Sequence, residues 1–140
     1  MSYRRPEILR GFTRTINVGC GKLHITLNYR IDKRFEQPPL NEIFIKPDFP
    51  YKDKDEITAY CVNSFLQPLA RILTWNLRRL KKEDRASFIK QFLIKNDAGC
   101  PRKSIATARS CMDGVARVIL CYWNGHKIKE GRCYVCGLRV

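Results

Sequence analysis

Acidic side chains are scarce in this chain: 13 aspartates and glutamates stand against 27 lysines and arginines, leaving a net charge of +14. That imbalance disfavours basic partners and favours polyanions, either nucleic acid or an acidic protein surface. No stretch approaches the roughly 20 apolar residues that a membrane helix needs, so no membrane partner is expected. Only two histidines occur, which leaves no material for a His-rich open metal site. A Ser/His/Asp set and a phosphate-binding glycine loop are also missing, so neither an enzyme nor a small-molecule substrate is expected. The start, Met1-Ser2-Tyr3-Arg4-Arg5-Pro6-Glu7, has no apolar stretch of the secretory kind, and the expected location is the cytoplasm.

Cysteine, by contrast, is plentiful. Seven in a chain expected to stay in a reducing compartment point to metal binding or redox chemistry before a disulfide framework. Ser110-Cys111-Met112-Asp113 precedes the apolar run Val115 to Leu120, the capping-box signature of a helix start. With Ser110 as N-cap, Cys111 meets unpaired N–H groups and the positive dipole end, which favour a thiolate.

Along the chain, Phe12 to Ile16 alternates as a strand and Gly19-Cys20-Gly21 reads as a tight turn. Lys22 to Tyr29 alternates most cleanly, with Leu23, Ile25 and Leu27 on one face and His24 on the other. Glu42 to Lys46 is a third short strand that pairs antiparallel with the second and ends at Pro47. A long helix is predicted over about Glu56 to Leu80, with an apolar stripe through Leu66, Leu69, Leu73 and Leu77. Pro68 should kink or split it near Leu66-Gln67. Further helices are predicted over roughly Glu83 to Lys95 and Cys111 to Trp123, the last closed by Asn124-Gly125. Residues 61 to 110 hold eleven basic and three acidic side chains, more than half of the net charge.

From Arg5 to about Leu120 the chain resembles a TSCPD domain, the module at the C-terminal end of cobalamin-dependent ribonucleotide reductases that also occurs in stand-alone bacterial, archaeal and viral proteins. The resemblance is carried by Arg5-Pro6, Gly19-Cys20-Gly21-Lys22-Leu23, Glu42-Ile43-Phe44-Ile45, Cys61, Leu69-Ala70-Arg71-Ile72-Leu73, Cys100-Pro101 and Ser110-Cys111-x-Asp113-x-Val115-Ala116. Met112 replaces the proline of the family's name motif. The resemblance implies that Cys20, Cys61, Cys100 and Cys111 converge on one zinc ion. Four thiolates would make a closed structural site with no position left for substrate. It also implies an α+β fold, a small antiparallel sheet packed on about three helices, zinc-stabilised, over residues 1 to 123. Residues 124 to 140 then form a short appendage.

That appendage contains Cys133-Tyr134-Val135-Cys136-Gly137, half of a zinc-ribbon knuckle in which turn N–H groups point at thiolates. Its readings are a second zinc site completed by Cys121 and His126, a thiol pair acting in trans on a partner, or a tail without either role. For the whole chain the leading expectation is a stand-alone zinc-binding interaction module, an accessory of ribonucleotide reductase or of another acidic partner protein. Its docking face would carry Arg71, Arg78, Arg79, Lys81, Lys82, Arg102, Lys103 and Arg109. The alternatives are a thiol relay through Cys133/Cys136 and a nucleic-acid binder. In the latter, the same cations contact phosphates and Tyr122, Trp123 or Tyr134 stack on bases.

Overall fold

The computed structural model describes residues 8–19, 21–30, 40–50, 65–93, 108 and 110–139. Three nine-residue strands, β1 (Arg10–Val18), β2 (Gly21–Tyr29) and β3 (Leu40–Asp48), form an antiparallel sheet in the order β1-β2-β3. Helices α1 (Gln67–Arg79), α2 (Lys82–Lys90) and α3 (Cys111–Asn124) follow, and β4 (Ile128–Lys129) with β5 (Arg132–Cys133) closes the chain as a small hairpin. The fold is mixed α+β, as expected.

Alternation along the central strand sets which face of the sheet is covered. Leu23, Ile25 and Leu27 are fully buried, each contributing on the order of 2 kcal/mol by leaving water. Facing outward, His24 is hydrogen-bonded to Thr15 Oγ1 at 2.8 Å and lies 3.7 Å from Asp48. Register runs from Arg10 opposite Tyr29 to Val18 opposite Gly21, and from Lys22 opposite Asp48 to Tyr29 opposite Leu40. Gly21 has φ +143°, and a Cβ there would come within 2.7 Å of the Asp48 carbonyl oxygen, so the close approach of β3 requires glycine.

Pro47 does not end β3, which continues to Asp48 with Pro47 opposite Leu23. Proline is tolerated because β3 is an edge strand whose outer N–H groups have no ladder to join. Helix α1 begins at Gln67, beside the Leu66-Gln67 position at which Pro68 is expected to interrupt the helical pattern. The described backbone enters α1 through a π-type turn at residues 65 and 66, which places Pro68 in the first turn, where a missing N–H costs little. The first part of the predicted long helix lies outside the described residues. Leu69, Leu73 and Leu77 bury the inner stripe of α1 against β3, and Thr74 Oγ1 accepts the edge N–H of Ile43 at 3.0 Å. The α2 helix is shorter than its periodicity suggests, because the chain tightens into i to i−3 bonds from Gln91 to Leu93. Phe88 and Phe92 meet edge-to-face there at 5.3 Å.

Helix α3 starts as the capping signature requires, with the Asp113 N–H donating to Ser110 Oγ at 3.0 Å. It is buried along Val115, Ala116, Val118, Ile119, Leu120 and Cys121 and packs on β1 and β2. Gly114 packs against Ala108 and Val18, where a Cβ would lie 3.2 Å and 3.4 Å from their side chains. One buried cluster runs from the sheet through α1 and α3 to Cys133 and Cys136.

Candidate metal centre

The last helix and the hairpin bring together Cys121, His126, Cys133 and Cys136. Cys121 lies one turn before the end of α3, on its buried side. Gly125, with φ +78°, then stops the helix, its N–H bonded to the Cys121 carbonyl at 2.8 Å, and His126 follows at once. The hairpin turns on Glu130 and Gly131, both with positive φ (55° and 76°), the two-residue turn whose twist matches paired strands. Ile128 thereby faces Cys133 and Lys129 faces Arg132. After β5 the chain curls back, the Gly137 N–H donating to the Cys133 carbonyl at 2.8 Å.

All four ligand atoms lie within 4.8 Å of one another. The Cys121 and Cys133 sulfurs are 3.7 Å apart, and Cys136 Sγ is 3.4 Å from His126 Nδ1. A tetrahedral ion with metal–sulfur bonds of about 2.3 Å and metal–nitrogen bonds of about 2.0 Å requires edges of roughly 3.8 Å between sulfurs and 3.6 Å between sulfur and nitrogen. Both observed edges fit, and the cluster can hold a metal ion. Cys121, Cys133 and Cys136 carry no disulfide and are 5%, 0% and 1% exposed, while His126 closes the site from the solvent side.

Proton affinities within the cluster are mutually tuned. A hydrogen bond from Cys121 draws the Cys136 thiol down to about 4 against the effect of burial, helped by the Leu138 N–H and the Arg14 guanidinium. That hydrogen bond and burial push Cys121 the other way. Burial opposes ionisation of Cys133, yet the Cys136 N–H, the His126 ring and the N–H groups of Val135 and Lys127 hold it below its usual value. Burial also disfavours the His126 imidazolium, but Cys133 and Cys136 outweigh it and raise that group. N–H groups aimed at thiolates are what a knuckle supplies to a metal.

Two arginines fasten the hairpin to the rest of the fold. Arg14 of β1 donates to the Cys136 carbonyl at 3.5 Å and comes within 4.0 Å of its sulfur. Arg117 of α3 donates from Nε to the buried carboxylate of Asp113 at 2.8 Å and from its guanidinium to the Val135 carbonyl at 2.9 Å. Neither residue stands out in the sequence reading. The i, i+4 spacing of Asp113 and Arg117 is a local signal that could have found one, whereas Arg14 is 122 residues from Cys136 and leaves none.

Of the other predicted ligand set, Cys20, Cys61 and Cys100 lie outside the described residues, as do Arg102, Lys103 and Arg109. Cys111 is half-buried at the first position of α3 and is not part of the cluster around Cys121. On the predicted docking face, Arg71, Arg79 and Lys81 are exposed. Arg78 is turned inward and pairs at 3.6 Å with the buried Glu42, because that carboxylate needs a counter-charge; the Lys82 side chain is outside the described set. Between them, α1 exposes Ile72 and Trp75, with the Arg79 guanidinium 3.2 Å over the indole ring, beside exposed Phe44 of β3. Tyr122 does not project as a stacking platform: it packs with Phe12 and Tyr29 at 5.9 Å, and Trp123 is half-buried against the core. Tyr134 does project.

No family model, curated protein or solved structure matches this chain. Among the described residues no helix is long and apolar enough to cross a membrane.

Proposed function

We propose that this chain is a zinc-stabilised, non-catalytic interaction module. The observation that carries the reading is the convergence of Cys121, His126, Cys133 and Cys136 within 4.8 Å of one another, with the Cys121–Cys133 and Cys136–His126 edges at tetrahedral length. Three thiolates and an imidazole form a borderline-soft donor set suited to zinc, and four protein ligands leave no open position for catalysis. Zinc with three thiolates carries one net negative charge, which the adjacent Arg14 guanidinium offsets. Because Cys121 belongs to α3 and the other ligands to the hairpin, metal binding would contribute directly to folding. A thiol relay through Cys133 and Cys136 is less well supported: both sulfurs are buried and shared with two further ligands.

The docking partner is an acidic protein surface, as the net charge of +14 favours, and the TSCPD resemblance suggests a reductase accessory. Support comes from the outer face of α1. There a groove of about 510 Å³ between the helix and the β3 edge is lined by Phe44, Ala70, Arg71 and Trp75, combining apolar contact with positive charge. The second ion, on Cys20, Cys61, Cys100 and Cys111, is proposed on the resemblance alone.

Elemental analysis of protein purified under reducing conditions in zinc-replete medium tests the reading. Cys133→Ser is expected to lose about one zinc per chain relative to the unsubstituted protein, and Cys111→Ser to do so only where the second site also binds. Unsubstituted protein without metal would refute the zinc module.

A further inference from the structure

The metal-facing side of the hairpin is defined by Cys133. Strand pleating therefore puts its neighbours along the chain on the opposite side. Lys129 and Arg132 are a cross-strand pair, so they share that opposite face. The Tyr134 N–H donates to the Lys127 carbonyl at 3.0 Å, which makes Tyr134 and Lys127 the next pair on the same face. A further bridge places Arg139 beside Arg132. Four cations thus share one face of the hairpin with a single tyrosine. Tyr134 is 61% exposed. Among the described residues no ion pair engages Lys127, Lys129, Arg132 or Arg139, and Glu130 at the turn is the single acidic side chain of the hairpin.

We propose that this face binds single-stranded nucleic acid, with a base stacked on Tyr134 and the phosphates on either side held by Lys127, Lys129, Arg132 and Arg139. Charge alone would suit any polyanion. The exposed ring on the same face as the cations is what selects an unpaired base, because every base has a π-face and only a single strand offers it unstacked. Backbone bonds hold the ring in place: Tyr134 lies between Cys133, whose N–H is bonded to the Leu138 carbonyl at 2.8 Å, and Val135, whose carbonyl is held by Arg117. The metal reading enters in one respect, since a bound ion would hold the hairpin in this shape.

The test uses the full chain as purified with its metal and a fluorescently labelled oligothymidylate of about 12 nucleotides, within the usual site size. Anisotropy titrations are run at several salt concentrations. Binding should weaken linearly in log–log form, and Lys129→Gln or Arg132→Gln should each reduce the slope by about 0.7. Tyr134→Ala should weaken binding about tenfold, leaving slope and metal content unchanged. The proposal is overturned if Tyr134→Ala binds like the unsubstituted chain, or if a duplex of equal length or polyglutamate of equal charge displaces the oligonucleotide equally well. A metal-free chain that still shows the Tyr134 effect would uphold this face and remove the zinc reading. A metal-bound chain indifferent to Tyr134→Ala would do the reverse.

Discussion

Arg117 makes the two contacts on which the hairpin and a buried charge both depend. Its guanidinium neutralises Asp113, which has no exposed surface, and holds the Val135 carbonyl inside the knuckle. Arg117→Ala would leave a carboxylate buried without that partner, and a loss of about 3 kcal/mol in urea unfolding is expected. A change below about 0.5 kcal/mol would show that Asp113 finds compensation elsewhere. Arg117→Lys should recover only part of the loss, because an ammonium lacks the fork that serves both acceptors. Tyr122 supplies a pH-dependent counterpart. Burial first, and then Tyr29, push its phenol from 10.0 up to about 12. Folding therefore favours the neutral ring: its contribution is complete below about pH 10 and disappears as pH rises through 12. Unfolding monitored between those values should be less steep in Tyr122→Phe than in the unsubstituted chain, and equal slopes would contradict the assignment.

At the scale of elements, α3 is the member on which the others converge. Its start is capped by Ser110, one side of it packs on β1 and β2, and Cys121 near its end faces the hairpin. Removing the cap in Ser110→Ala should cost about 1 kcal/mol, measured by thermal or urea unfolding, with metal content preserved because Cys121 lies three turns away. Loss of metal in that variant would mean that the helix start and the cluster are coupled. The sheet edge at β3 is managed differently: Pro47 removes one donor and Thr74 of α1 takes up another. Both devices reduce unwanted strand pairing, which leaves the groove beside Trp75 available for side-chain docking.

For the molecule as a whole, the cluster joins the hairpin to a core that runs back to the sheet. A metal bound a thousandfold above its dissociation constant adds about 4 kcal/mol. Chelation should therefore lower the melting temperature by on the order of 10 °C, and re-addition of zinc should restore it. The same ion competes with protons for three thiols and an imidazole, so acidification should release it. A melting temperature indifferent to chelator would separate the cluster from global stability.

What the sequence determined by itself was local. Leu23, Ile25 and Leu27 alternate on a half-covered strand because burial acts on every second side chain, and their complete burial was legible from that period. Ser110 three residues before Asp113 announced the helix start for an equally local reason, as did Cys133 and Cys136 the knuckle. The ligand set Cys121, His126, Cys133 and Cys136 was visible as one of several readings, since spacing names donors but cannot say whether a helical cysteine faces the core or an ion. Only the tertiary structure brought the end of α3 against the hairpin, so that Cys121 meets the other three donors. It likewise turned Arg78 inward to Glu42, packed Tyr122 between Phe12 and Tyr29, and set Arg14 beside Cys136 from 122 residues away. Such pairings depend on which faces meet after collapse, and no local spacing along the chain encodes them.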